Sequence, residues 1–269
     1  MAQLTAAYQT VISAYGLTTI DLDIEGAALD NFGAEQRRAA AVADLEQAAR
    51  AAHRQLSVWL TLPVEPSGLQ DDAISVIESM LQAHVSIAGI NIMTMDFTQP
   101  PAAGATMLTS VESALNAAHG QLASLYSRYG IELRSQQIWQ RLGATVMIGQ
   151  NNIEGENFTV PDAQGLVSFA NSNHLGRISM WSLNRDAQCG SAFPENGLLS
   201  NACSGTAESG MQFAQVFGQL PGTAAVTSAA GNVQPAVANT NPADAPYPQW
   251  SAGTDYPLGY KVVADGEIY

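Results

Sequence analysis

The sequence predicts an α/β chain built around a parallel sheet with helices outside it, and three observations carry that prediction. Short apolar or alternating runs, such as Leu56–Leu62 and Ile87–Phe97, alternate with longer segments of helical period. The connections are long enough to hold a crossover helix. Polar residues gather just after the predicted strands, at Glu25, Asp96, Gln150, Asn151 and Asn184–Asp186, and in parallel α/β folds the chemistry sits at those carboxyl ends.

In order, Leu4, Tyr8, Val11 and Ile12 mark a helix over residues 2–15. Thr18–Gly26 follows as a strand. An Ala-rich helix is expected over 34–55, with Arg37, Arg38, Asp44, Glu46 and Arg50 on a solvated surface. The strand Leu56–Leu62 stops at Pro63 and Pro66. A helix over 69–84 turns Ile74, Ile77 and Leu81 inward. Ile87–Phe97 reads as a strand buried on both faces. Helices over 105–129 and 134–141 precede a strand at Ala144–Gly149, and a polar loop runs to Thr159. A helix over 161–173, a strand at Arg177–Leu183, a loop holding both cysteines and a helix over 205–218 complete this region. The 269 residues divide into a domain at 1–219, an Ala, Pro, Thr and Asn-rich linker at 220–246, and an aromatic, strand-like stretch at 247–269.

Composition narrows the function. Ten basic against 24 acidic residues give a net charge of -14, which argues against nucleic acid or anionic membranes as partners and suits a neutral polymer. No apolar run approaches the roughly 18 residues that span a bilayer. The first residues lack a signal peptide's basic region and apolar core. Cys189 and Cys203 lie in one Gly, Ser, Asn and Pro-rich loop. They either close it as a disulfide, implying an oxidising compartment, or remain two buried thiols.

The chemistry centres on Thr18–Gly26. Alternation along a strand puts Asp21, Asp23 and Glu25 on one face and Ile20, Leu22 and Ile24 on the other. Carboxyl groups stacked about 7 Å apart repel one another when ionised, which keeps one of them protonated near neutral pH. A protonated acid beside ionised neighbours can cleave an acetal, above all a glycosidic bond. A half-exposed strand with a solvated acidic face, or a carboxylate metal site, would show the same spacing. His53, His84, His119 and His174 have no ligand spacing, and neither a Gly-x-Ser-x-Gly elbow nor a phosphate loop occurs. No metal and no cofactor is expected.

Asp21-x-Asp23-x-Glu25 resembles the active-site strand of glycoside hydrolase family 18, the chitinases and their relatives. Met93-Thr94-Met95-Asp96 resembles that family's strand six, Met147–Asn151 its strand seven in a bacterial branch, and Ser179-Met180-Trp181-Ser182 its strand eight. The resemblance implies a (β/α)8 TIM barrel, of which this chain would supply strands four to eight. Such a partial barrel is expected to self-associate through its open edges. The implied mechanism is substrate-assisted and retaining. Glu25 is the general acid/base, Asp23 orients the 2-acetamido group that attacks the anomeric carbon, and Asp21 partners Asp23. Met93, Asp96, Gln150 and Trp181 are the substrate-binding candidates, with Trp181 stacking under the sugar. Read without the family, Asp96 would serve as a helix cap, Trp181 as a core aromatic, Gln150 as a turn residue and Met93 as packing. Thr18 stands where the family often has Asp, and Met95 where it often has Tyr.

Residues 247–269 resemble chitin-binding modules of carbohydrate-binding families 5 and 12, through Tyr247-Pro248-Gln249-Trp250, Tyr256, Gly259–Val263 and Gly266–Tyr269. Trp250, Tyr256 and Tyr269 are its candidate sugar-stacking residues, in a module that stops short of the family's aromatic end. The resemblances imply a secreted chitinase whose partners are chitin or N-acetylglucosamine oligosaccharides. A non-catalytic chitin- or glycan-binding protein, or an inactive fragment of a chitinase, is the alternative.

Overall fold

A computed structural model describes residues 2–189 and 199–220, together with the backbone of residues 263–264 and 267–268. Linker positions from 221 onward, and Trp250, Tyr256 and Tyr269, lie outside the described residues. The chain divides into two compact units, Met1–Thr223 and Ala224–Tyr269. In the second, β8 (Val263–Ala264) and β9 (Glu267–Ile268) form an antiparallel pair.

The first unit is built on five parallel strands: β1 (Thr19–Asp23), β2 (Ser57–Pro63), β3 (Ile87–Met93), β4 (Leu142–Met147) and β7 (Arg177–Trp181), side by side in that order. The sheet is half of a barrel. On its convex face Val58, Leu60, Leu62, Ile90, Ile92, Ala144 and Val146 are fully buried. They pack beneath α2 (Phe32–Ala51), α3 (Asp71–Gln82), α4 (Met107–Arg128), α6 (Val160–Asn173) and the short α7 (Gln212–Phe217). α1 (Ala2–Tyr15) lies on α2 through Ile12, and α5 (Ser135–Trp139) on α4, where Trp139 stacks on His119 at 4.3 Å. This is the arrangement the alternation predicted: apolar positions of each strand face the helices, and even β3, in an apolar run, keeps Asn91 for the opposite face.

Several boundaries differ from expectation. β1 ends at Asp23, and Glu25 follows it in extended conformation (φ -146°, ψ 168°) at the head of a 3-10 turn over Gly26–Ala28. β3 stops at Met93 because the chain turns there, with Asp96 at φ 51°. Gly149 and Gln150 leave the sheet and form β5, paired antiparallel with β6 (Asn157–Phe158). The helix expected over 205–218 is only Gln212–Phe217. Its first half, Gly205-Thr206-Ala207-Glu208-Ser209-Gly210, is rich in residues that favour turns over helix. There Thr206 N–H bonds the Ser204 hydroxyl and Ser209 N–H the Gln212 side chain, hydrogen bonds that satisfy the backbone outside a helix.

Candidate active site

Register across the sheet decides which side chains meet. Asp21 lies opposite Trp59, and Trp59 opposite Gly89; Asp23 lies opposite Thr61, then Asn91, Gly143 and Arg177; Met147 lies opposite Trp181. All of these point to the concave face, away from the helices. A chain of hydrogen bonds crosses it. Thr61 Oγ1 donates to Asp21 Oδ1 at 2.7 Å, and Asn91 Nδ2 donates to Thr61 Oγ1 at 3.1 Å and to Thr145 Oγ1 at 2.7 Å. Arg177, on the far edge strand, reaches back to form an ion pair with Asp21 Oδ2.

Asp21 and Asp23 lie two apart in β1, and Glu25 continues the chain beyond it in extended conformation. Asp21, Asp23 and Glu25 are all exposed on one side of the chain, while Ile24 is buried on the other. Asp23 has its carboxyl raised above the usual range, first by partial burial and then by the negative charge of Asp21 beside it. Of the other two acids, it is Asp21 whose charge acts on Asp23.

The remaining candidates sit at the same, carboxyl-terminal end of the strands. Asp96 caps no helix. Its two oxygens accept from Asn152, Oδ1 from the backbone N–H at 2.8 Å and Oδ2 from the side-chain amide. The Asn152 amide also lies 3.8 Å from Met147 Sδ, which links Asp96 to the end of β4, beside Trp181. Trp181 is 58% exposed, so it is no core aromatic, and its peptide bond to Ser182 is cis. Met93, partly buried, ends β3 on the concave face. Gln150 Nε2 donates to the carbonyls of Asn151 and Glu156, at 3.2 and 3.0 Å, which ties it into its own turn and leaves Oε1 as its remaining polar atom.

Of the other polar residues at the strand ends, several do structural work. Arg185 is fully buried and donates to the carbonyls of Ser200, Ile148 and Gln150. Asp186 accepts from the Phe213 and Ala214 N–H groups that open α7. Cys189 and Cys203 form a disulfide, with Cα atoms 5.0 Å apart. Thr61, Asn91, Thr145, Trp59 and Arg177 do not stand out in the sequence. The available signal was Asn91, a lone amide in an otherwise apolar strand, and Arg177, a charge opening one. Among the described residues, no three His, Cys, Asp or Glu side chains are grouped to hold a metal ion.

This geometry, acids at the end of the first strand of a parallel half-barrel, has relatives. No protein-family model matches the chain. It is 28% identical over 187 residues to a probable bifunctional chitinase/lysozyme of Escherichia coli K12, covering 66% of this chain and 20% of that protein. It is 28% identical over 185 residues to Endochitinase 11 of Metarhizium anisopliae, covering 66% of this chain and 35% of that one. The catalytic domain of a hyperthermophilic chitinase from Pyrococcus furiosus superposes with a TM-score of 0.65 at 28% identity, over 80% of this chain and 64% of that domain. The chain is similar to chitinases over about two thirds of its length.

A second Pyrococcus furiosus structure, of catalytic-site mutants complexed with chito-oligosaccharides, matches with a TM-score of 0.64 at 27% identity. The chain thus spans a fifth to about a third of the curated chitinases and about two thirds of the solved chitinase domain.

Proposed function

We propose that this domain hydrolyses the β-1,4 bonds between N-acetylglucosamine units of chitin by the substrate-assisted, retaining route of glycoside hydrolase family 18. The observation that carries the reading is the ladder Asp21, Asp23, Glu25, exposed at the carboxyl end of a parallel half-barrel whose relatives are chitinases. Glu25 donates its proton to the leaving glycosidic oxygen as the C1–O bond breaks. The carbonyl oxygen of the sugar's own 2-acetamido group attacks C1 and closes an oxazolinium ring. Asp23, the acid whose proton affinity is raised, orients that acetamido group and balances the charge of the ring. Water then opens the ring, giving up a proton to the Glu25 carboxylate, which restores the acid. Trp181 offers its exposed face to the sugar. Asp96, Gln150 Oε1 and Met93 line the same end of the sheet and supply hydrogen bonds and contact.

In this proposal, residues 1–219 are the catalytic part, 220–246 a linker and 247–269 a chitin-binding module that holds the enzyme near its polymer. The Cys189–Cys203 disulfide supports a secreted protein. Among the described residues β1 and β7 are the outer strands of the five-stranded sheet, and open edges of this kind support self-association by strand pairing.

The test is Glu25→Gln. It is expected to abolish hydrolysis of chitin oligosaccharides while their binding, followed by tryptophan fluorescence, persists. Turnover at the parent rate would sink the assignment.

A further inference from the structure

Arg177 opens β7, one edge of the sheet, and Asp21 lies in β1, the other edge. Their ion pair spans the concave face. The guanidinium lies over the Trp59 ring, 3.9 Å from its centroid, so a planar cation is held by a planar aromatic surface. Room for this assembly comes from two glycines. A Cβ on Gly89 would stand 2.3 Å from the Trp59 ring, and one on Gly143 would stand 3.0 Å from both Arg177 Cβ and Asn91 Oδ1. With Thr61 on Oδ1 and Arg177 on Oδ2, both oxygens of Asp21 are engaged, by groups from two other strands. The charged groups that the strands bring to the concave face in register are Asp21, Asp23 and Arg177, with Glu25 just beyond β1.

We propose that Arg177 is a positioning residue for the proton-transfer acids: it fixes Asp21 in place and balances its charge, leaving Asp23 as the carboxyl that turns between Asp21 and Glu25. The inference rests on the hydrolase reading above for its catalytic consequence, but its electrostatic part stands on the ion pair alone. Without the cation, Asp23 would face an uncompensated and mobile carboxylate. Its negative form would be disfavoured further. The stack on Trp59 explains why an arginine suits this position: a lysine supplies the charge but not the flat face that lies on the indole.

The experiment uses the full 269-residue chain and two variants, Arg177→Met and Arg177→Lys. The Asp23 carboxyl is followed by carbon-13 NMR across pH, and hydrolysis of chitin oligosaccharides by its pH profile, kcat and KM. Arg177→Met is expected to raise the Asp23 titration midpoint by about one pH unit. It should also lower kcat about tenfold with KM changed less than about threefold. Arg177→Lys is expected to restore most of the midpoint and only part of kcat. An Asp23 midpoint in Arg177→Met equal to the parent's would overturn the proposal. A parent chain that titrates as described but does not hydrolyse the oligosaccharides would count against the hydrolase reading, while the midpoints still decide the role of Arg177. If Arg177→Met does not fold, Arg177→Lys decides: reduced kcat at parental KM supports the clamp, and parental kcat overturns it.

Discussion

The backbone N–H of Phe97 donates to Glu156 Oε1 at 3.0 Å, tying the loop that carries Asp96 to the turn between β5 and β6. Glu156 is fully buried and its second oxygen, Oε2, has no hydrogen-bond partner. Burial, with the charges of Asp96 and Glu65 nearby, pushes its carboxyl up to about 7. The folded state therefore holds a proton here that the unfolded chain releases near 4.5. Below about pH 4.5 this group imposes no penalty; as pH rises through 7, stability falls, by at most about 3 kcal/mol. Glu208, buried beside Asp186 and also raised to about 7, acts in the same direction. The melting temperature is expected to drop between pH 5 and pH 8, and Glu156→Gln, which keeps an acceptor for Phe97, to flatten that slope. An unchanged slope in the variant would assign the effect elsewhere.

Gly89 gives way to Trp59, and that contact admits no side chain. A Cβ there would lie 2.3 to 2.6 Å from three atoms of the indole. Gly89→Ala is expected to destabilise the domain by about 1–3 kcal/mol through overpacking. Gly120, exposed in α4, supplies the contrast, because a Cβ there would meet nothing within 4 Å. Gly120→Ala is expected to stabilise by about 0.5–1 kcal/mol. Urea denaturation of the two variants measures both.

Trp181 is exposed and packs little, so its removal tests recognition more than folding. Trp181→Ala is expected to weaken binding of chitin oligosaccharides about fivefold, the scale of about 1 kcal/mol that an aromatic stack contributes. Its melting temperature should stay near the parent's. Isothermal titration with the hydrolysis-silent Glu25→Gln background separates the two readouts.

The disulfide between Cys189 and Cys203 closes a loop with a sequence separation of 14. Loop entropy sets a ceiling of about 3 kcal/mol on its contribution. Arg185 already holds the Ser200 carbonyl, and Ser204 N–H the Ala187 carbonyl, so Cys189→Ser with Cys203→Ser is expected to cost less than that ceiling. Thermal melts with and without reductant provide the measurement.

By itself the sequence determined the alternation of strands and helices, the parallel sheet, and the acidic face of Asp21, Asp23 and Glu25. These depend on local periodicity: side chains two apart share a strand face wherever the strand ends up. The same rule exposed the loose ends. Apolar runs persist beyond the last ladder hydrogen bond, so β3 was expected to reach Phe97 although the chain turns after Met93. Turn-forming residues over 205–210 shortened the last helix, because side-chain hydrogen bonds there compete with helical ones.

The tertiary structure alone decided what the acids stand against. Arg177 is 156 residues from Asp21, and no local pattern joins them. Only the curvature of the sheet brings the two edge strands within reach, and only register sets Trp59 beneath the guanidinium and glycines at 89 and 143. Glu156 looked like one more polar loop residue, until packing removed its water and raised its carboxyl. Charge and burial are properties of the space around a group, and that space is assembled from residues remote in the chain.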